Sequence, residues 1–133
     1  MKDKTQTYLD ASDEAVRASK RLLAAGLYAP AAYHAFHAFE SAGNAFSLSH
    51  GGVVKRNHEA NRGEFKKHYE KAGLLHQLAP VQDQAYALRN TSRYPRRNER
   101  GERQAPSQQI DRETAQEVLR RVRGVLSTIK QNL

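Results

Sequence analysis

Apolar residues recur along the chain at spacings of three and four, and the runs break at glycines and prolines. That rhythm belongs to helices with one buried face, and the punctuation places their ends. A first helix is predicted from about Lys4 to Ala25, closed by Gly26, with an inward stripe of Tyr8, Ala11, Ala15, Ala18 and Leu22. A second opens near Pro30 and runs to about Ser49, before Gly51, burying Ala32, Phe36, Phe39, Gly43 and Phe46. The third covers about His58 to Ala72, with Phe65, Tyr69 and Ala72 inward and Gly73 as its cap. A fourth starts near Pro80 and carries Val81, Ala85 and Leu88. The fifth opens at an Asp111 cap and presents Ala115, Val118, Val122, Leu126 and Ile129. No stretch alternates like a half-buried strand. The expectation is one all-α domain over residues 1–133, an antiparallel up-down bundle of four long helices plus a shorter one.

One segment does not fit the helical rhythm. Between Tyr94 and Gln109 the chain reads "YPRRNERGERQAPSQQ", with almost nothing apolar, and is expected to be a flexible basic loop at about 94–110. Beside the apolar stripe of the second helix runs a polar one, Tyr33, His37, Glu40 and Asn44. If a neighbouring helix covers that stripe, Glu40 needs a cationic or hydrogen-bonding partner, because an uncompensated buried carboxylate is costly. An arginine of the fourth helix is the candidate, with Glu40 and His37 as structural partners of the site.

Charge narrows the class of ligand. Twenty-two lysines and arginines against 14 acids give a net charge of +8, which favours anionic partners, and most of the basic residues are arginine. The planar guanidinium suits phosphate. No cysteine is present, so disulfides and thiolate metal sites are excluded. No apolar run has the length of a membrane span, and the amino-terminal residues lack the apolar core of a secretory signal; a cytoplasmic protein without membrane contact is expected. His34 and His37 find no third ligand by spacing, so neither metal nor cofactor is expected.

The stretch "YHAFHAFESAGNA", residues 33–45, resembles the second-helix signature of the HEPN family: an aromatic residue followed by His-Ala, then Ala-x-Glu. Tyr33, His34, Ala35, Ala38, Glu40, Ala42 and Ala45 match it, whereas Phe36, His37, Ser41 and Asn44 depart from it. His58 falls where many members carry a histidine, and "RYP", Arg93 to Pro95, resembles the family's end to helix 4. The resemblance implies a small helical bundle that commonly pairs as a homodimer, with both helix-4 motifs facing a shared cleft. Many relatives are metal-independent RNases, often toxins of toxin-antitoxin or defence systems, and several act with a nucleotidyltransferase partner protein that modifies a tyrosine near the motif.

The family's catalytic motif is an arginine, usually a polar residue, and a histidine after four to six intervening residues. Arg89 and Asn90 match its first part. Where the histidine would stand are Tyr94, Pro95 and Arg96. The resemblance therefore marks Arg89, Asn90 and Tyr94 as the catalytic positions and leaves cleavage in doubt, because neither tyrosine nor arginine carries a proton readily near neutral pH. The expected function is binding of RNA or a nucleotide at a dimer cleft; an active RNase and a non-catalytic subunit of a nucleotidyltransferase are the alternatives. Arg89 and Arg93, four apart on one helix face, repel each other and call for an acid or a bound anion. Arg96 and Arg97 extend the basic footprint, and Tyr86 offers a ring for a base to stack on. Arg62 and His68 also have the motif's spacing, but an arginine-rich chain yields such pairs by chance, and the two point about 120° apart on a helix.

Overall fold

A computed structural model describes residues 3–133. The chain folds as α1 (Lys4–Ala24), α2 (Tyr28–Ser49), α3 (His58–Lys71) and α4 (Leu75–Thr91), then β1 (Arg96–Arg97), β2 (Arg103–Gln104), α5 (Pro106–Gln109) and α6 (Arg112–Gln131). It is the expected all-α bundle. Asp3, Asn57 and Asp111 cap α1, α3 and α6, each accepting a backbone N–H three residues on. Gly26 and Gly73 follow helices at φ near 77° and 78°, where a side chain would strain the backbone. Among the described residues, no helix is long and apolar enough to cross a membrane.

Helix α2 is the axis of the bundle. Phe36, Phe39, Phe46 and six alanines between positions 31 and 45 are within 1% of complete burial, and α1, α3, α4 and α6 all pack on it. Gly43 lets α3 approach: a Cβ there would lie 2.7 Å from the Phe65 ring. The α6 stripe is buried as predicted, joined by Leu119 and Val125.

Three local expectations are corrected. On α1 the predicted stripe is only half-buried, and the deepest residues are Ser12 and Ser19. Their hydroxyls donate to the carbonyls of Ala38 and Ala31, each at 2.7 Å, so the seam is turned by about one position and polar groups hold two close-packed antiparallel helices. Helix α4 begins at Leu75 rather than near Pro80, which sits in its second turn. Burial of Leu74 and Leu78 favours extending the helix back through the proline, whose missing N–H costs one helical bond. Ala72 is exposed, and Leu74 makes the closing apolar contact instead. Helix α2 starts at Tyr28, with Pro30 still in the first turn, where its N–H would have no partner.

The basic segment after α4 is not without structure. Arg96 pairs with Gln104 and Arg97 with Arg103 in a two-residue antiparallel ladder. Asn98 Oδ1 accepts from the N–H groups of Arg100 and Glu102, shaping the turn. Gln109 Nε2 donates to the carbonyls of Tyr94 and Gln104, and the neighbouring Ile110 is buried. Local side-chain to backbone bonds thus supply what the composition lacks in apolar area.

Candidate functional site

The polar stripe of α2 is covered, as its spacing allowed, by the start of α3 and the end of α4. Tyr33, His37 and Glu40 are half-buried and Asn44 is buried. Capping by Asn57 sets the first turn of α3 so that His58 leans on α2. Its Nδ1 donates to Glu40 Oε2 at 2.6 Å. The Tyr86 hydroxyl donates to the same oxygen at 3.3 Å. The side chain of Glu40 is 10% exposed and that of His58 35%. A carboxylate only accepts, so Nδ1 carries a proton and Nε2 is the outer ring nitrogen.

This arrangement corrects the expected pairing of Glu40 with a helix-4 arginine. His58 and Tyr86 take that place, both donating to Oε2. Arg89 instead lies over the Phe36 ring, its guanidinium carbon 5.9 Å from the centroid, and its Nη1 donates to Asn90 Oδ1 at 3.0 Å. Its Nε is a buried side-chain nitrogen with no hydrogen-bond partner. Arg93, just past the end of α4, has its guanidinium carbon 5.0 Å from the Tyr33 ring and 5.3 Å from the Tyr94 ring. Among the described residues, neither Arg89 nor Arg93 forms an ion pair with a carboxylate.

Tyr86 does not offer a face to a base. It is buried, its ring meets Phe36 edge-on at 5.0 Å, and Arg62 covers it at 5.1 Å. Burial and the adjacent Glu40 push its hydroxyl well above the ordinary tyrosine range, so it stays protonated and donates. The exposed ring is that of Tyr94, 48% accessible. His37 meets Tyr33 edge-on at 5.1 Å. Burial lowers its pKa; Glu40 opposes the shift, and His34, His58 and Arg93 add to it.

Contacts therefore join Tyr33, Phe36, His37, Glu40, His58, Tyr86, Arg89, Arg93 and Tyr94 into one corner where α2, α3 and α4 meet. Arg96 and Arg97 lie beyond it in the exposed hairpin, where Arg97 Nη1 donates to the Gly101 carbonyl. The Arg62 and His68 spacing makes no site: Arg62 pairs with Asp83 at 2.6 Å, while His68 is buried against Glu64. Among the described residues, no three His, Asp or Glu side chains gather as metal ligands would. The His58–Glu40 bond was missed in the sequence. The signals were a histidine directly after an asparagine cap and its place in the family resemblance; the partner 18 residues earlier follows from packing alone.

Comparison with known proteins bears on the fold and the lineage. The family model for the HEPN domain matches residues 5–132. Among solved structures, the crystal structure of TT1696 from Thermus thermophilus superposes with a TM-score of 0.82 at 20% identity, covering 99% of this chain and 100% of that one. No curated protein matches significantly.

Proposed function

Because the chain belongs to the HEPN domain family, we propose that it binds the phosphates of RNA or of a nucleotide at the corner of α2, α3 and α4, with Arg89 and Arg93 as the anion ligands. The observation carrying this reading is the buried Arg89 Nε without a partner. Leaving a charged donor buried and unbonded costs on the order of 1–3 kcal/mol, and a phosphate oxygen restores that bond. A second cation four residues on, with rings rather than acids around it, adds to the demand for an anion. Tyr94 supplies an exposed face on which a base stacks, and Arg96 and Arg97 lengthen the basic track.

The binding unit in this proposal is a homodimer whose two α4 ends line one cleft, as the family resemblance implies. Helix α4 itself brings no proton carrier, since Tyr94, Pro95 and Arg96 occupy the positions a histidine would need. A second reading, favoured by the exposure of Tyr94, makes this chain the non-catalytic subunit of a nucleotidyltransferase that modifies that hydroxyl. Intact mass after incubation with such a partner and ATP separates the two readings.

The direct test is fluorescence anisotropy with a labelled single-stranded RNA, competed by ATP, alongside light scattering to fix the oligomeric state. Arg89→Ala and Arg93→Ala are each expected to weaken binding about tenfold, the equivalent of roughly 1.4 kcal/mol for one charge-assisted contact. Unchanged affinity in the double variant would refute the assignment.

A further inference from the structure

Where α1 begins and α2 ends lies a cavity of about 410 Å³, and none of its lining residues belongs to the corner of α2, α3 and α4. Lys4, Thr7 and Tyr8 of α1 line it, with Leu48 from the last turn of α2 and Val53 and Val54 from the segment leading to α3. Its volume is that of a small-molecule pocket. Tyr8, Leu48 and Val54 are half-buried, while Val53 is 52% exposed. That exposed valine does not sit on a slack loop. Gly52 N–H donates to the Ser47 carbonyl at 2.7 Å, Val53 N–H to Glu64 Oε2 at 3.0 Å, and Lys55 N–H to Asn61 Oδ1 at 2.6 Å. Glu64 and Asn61 are both buried, so the backbone that presents the apolar wall is fixed before any ligand arrives.

The α1 wall carries two polar groups without partners. Lys4 and Tyr8 are four apart and share one helix face. Among the described residues, the Lys4 ammonium forms no ion pair and no hydrogen bond engages the Tyr8 hydroxyl. Thr7 differs, its hydroxyl donating to the Asp3 carbonyl at 3.1 Å. The lining holds no acidic residue. We infer that this cavity binds a small amphiphilic carboxylate, whose two oxygens accept from Lys4 Nζ and the Tyr8 hydroxyl while an aliphatic tail lies along Leu48, Val53 and Val54. A cation and a phenol beside an apolar wall favour an anionic head over an alcohol or an amine of the same length. The concave shape fits a small molecule rather than a protein. A stable protein interface covers about 800 Å² on each partner, whereas Val53 is the one large apolar side chain of this lining that is openly exposed.

The test titrates octanoate into the full chain, with octanol and octylammonium as probes of equal length, while methyl NMR spectra are recorded. Octanoate is expected to shift the Val53, Val54 and Leu48 methyl signals saturably, with a dissociation constant on the order of 1 mM for about ten non-hydrogen atoms. The Val122 methyls, buried in the core, should not move. Octanol should bind more weakly than octanoate, and octylammonium more weakly still, because Lys4 repels it. Lys4→Gln should weaken octanoate by about fivefold and leave octanol unchanged. Tyr8→Phe should weaken octanoate by about threefold. Val53→Asp changes an exposed side chain, so circular dichroism should show it folded, and it should abolish binding of both octanoate and octanol. Leu27→Asp, a like change at another exposed apolar residue outside the cavity, should bind as wild type. Absence of saturable shifts, or equal binding of all three probes by wild type and Lys4→Gln, overturns the proposal. Val53 shifts that follow protein concentration, with pairing seen by light scattering, overturn it in favour of a contact between two copies of the chain.

Discussion

Two glutamate–histidine pairs sit at the two ends of α3, and they differ in what surrounds them. Glu64 accepts from the Val53 N–H at 3.0 Å, from His68 Nε2 at 3.2 Å and from Lys67 at 3.0 Å. His68 is buried with it, and Gly52 presses its backbone so close that a Cβ would lie 2.6 Å from Glu64 Oε2 and 2.9 Å from the Ser47 carbonyl. That pair is sealed, and its chemistry is consumed in pinning the segment between α2 and α3. Glu40 and His58 are opposite in character: the acid is covered, the base is one-third exposed, and the buried arginine nitrogen nearby has no partner. Similar residues thus fill every valence inside the fold at one end of α3 and leave one ring nitrogen turned outward at the other.

The comparison is sharpened most by breaking the sealed corner. Gly52→Ala forces Cβ against backbone as well as side chains, and Glu64→Ala strands the Val53 N–H; each should cost about 2–4 kcal/mol in urea or thermal unfolding. Neither should alter affinity for RNA once the protein is folded at low temperature. Glu40→Gln should cost clearly less in the same unfolding assay, no more than about 1 kcal/mol, because His58 and Tyr86 still have an acceptor. Equal losses at both ends of α3 would erase the distinction.

Acid provides a third test. Hydrogen bonds from Val53 and Lys67 hold the Glu64 carboxyl at about 2, against an ordinary 4.5. The unfolded chain therefore takes up that proton first as pH falls, so the stability due to Glu64 is complete above about pH 4.5 and is lost progressively toward about 2. A pH series of unfolding midpoints should show this loss in wild type and a flatter curve in Glu64→Gln. His37 acts higher on the scale: its pKa is lowered by burial, so the unfolded state protonates before the folded one and stability drops slightly as pH falls below neutrality. Tyr86→Phe should have the smallest effect, within about 1 kcal/mol, since it removes one long hydrogen bond while leaving the buried ring in place.

Legibility in the sequence followed the length scale of the interaction. The α6 stripe and the glycine stops were readable because helix periodicity and caps are local. The α1 seam was misplaced by one position because serine counts as polar in any pattern, although Ser12 and Ser19 each bond a carbonyl of α2. Leu74 and Leu78 extended α4 through a proline that local rules treat as a start. At the site, Arg89, Arg93 and Glu40 were legible from charge, spacing and family likeness. Their pairings were not, since the choice among His58, Tyr86 and Arg89 as partners of Glu40 depends on how α3 meets α2.

The salt dependence of RNA binding tests the central claim most directly. Each phosphate contact on a single strand contributes roughly 0.7 to the slope of log affinity against log salt, so Arg89→Ala combined with Arg93→Ala should flatten the slope by about 1.4 and weaken binding about 100-fold at low salt. A double variant with the slope and affinity of wild type would contradict the assignment of these two arginines to a phosphate site.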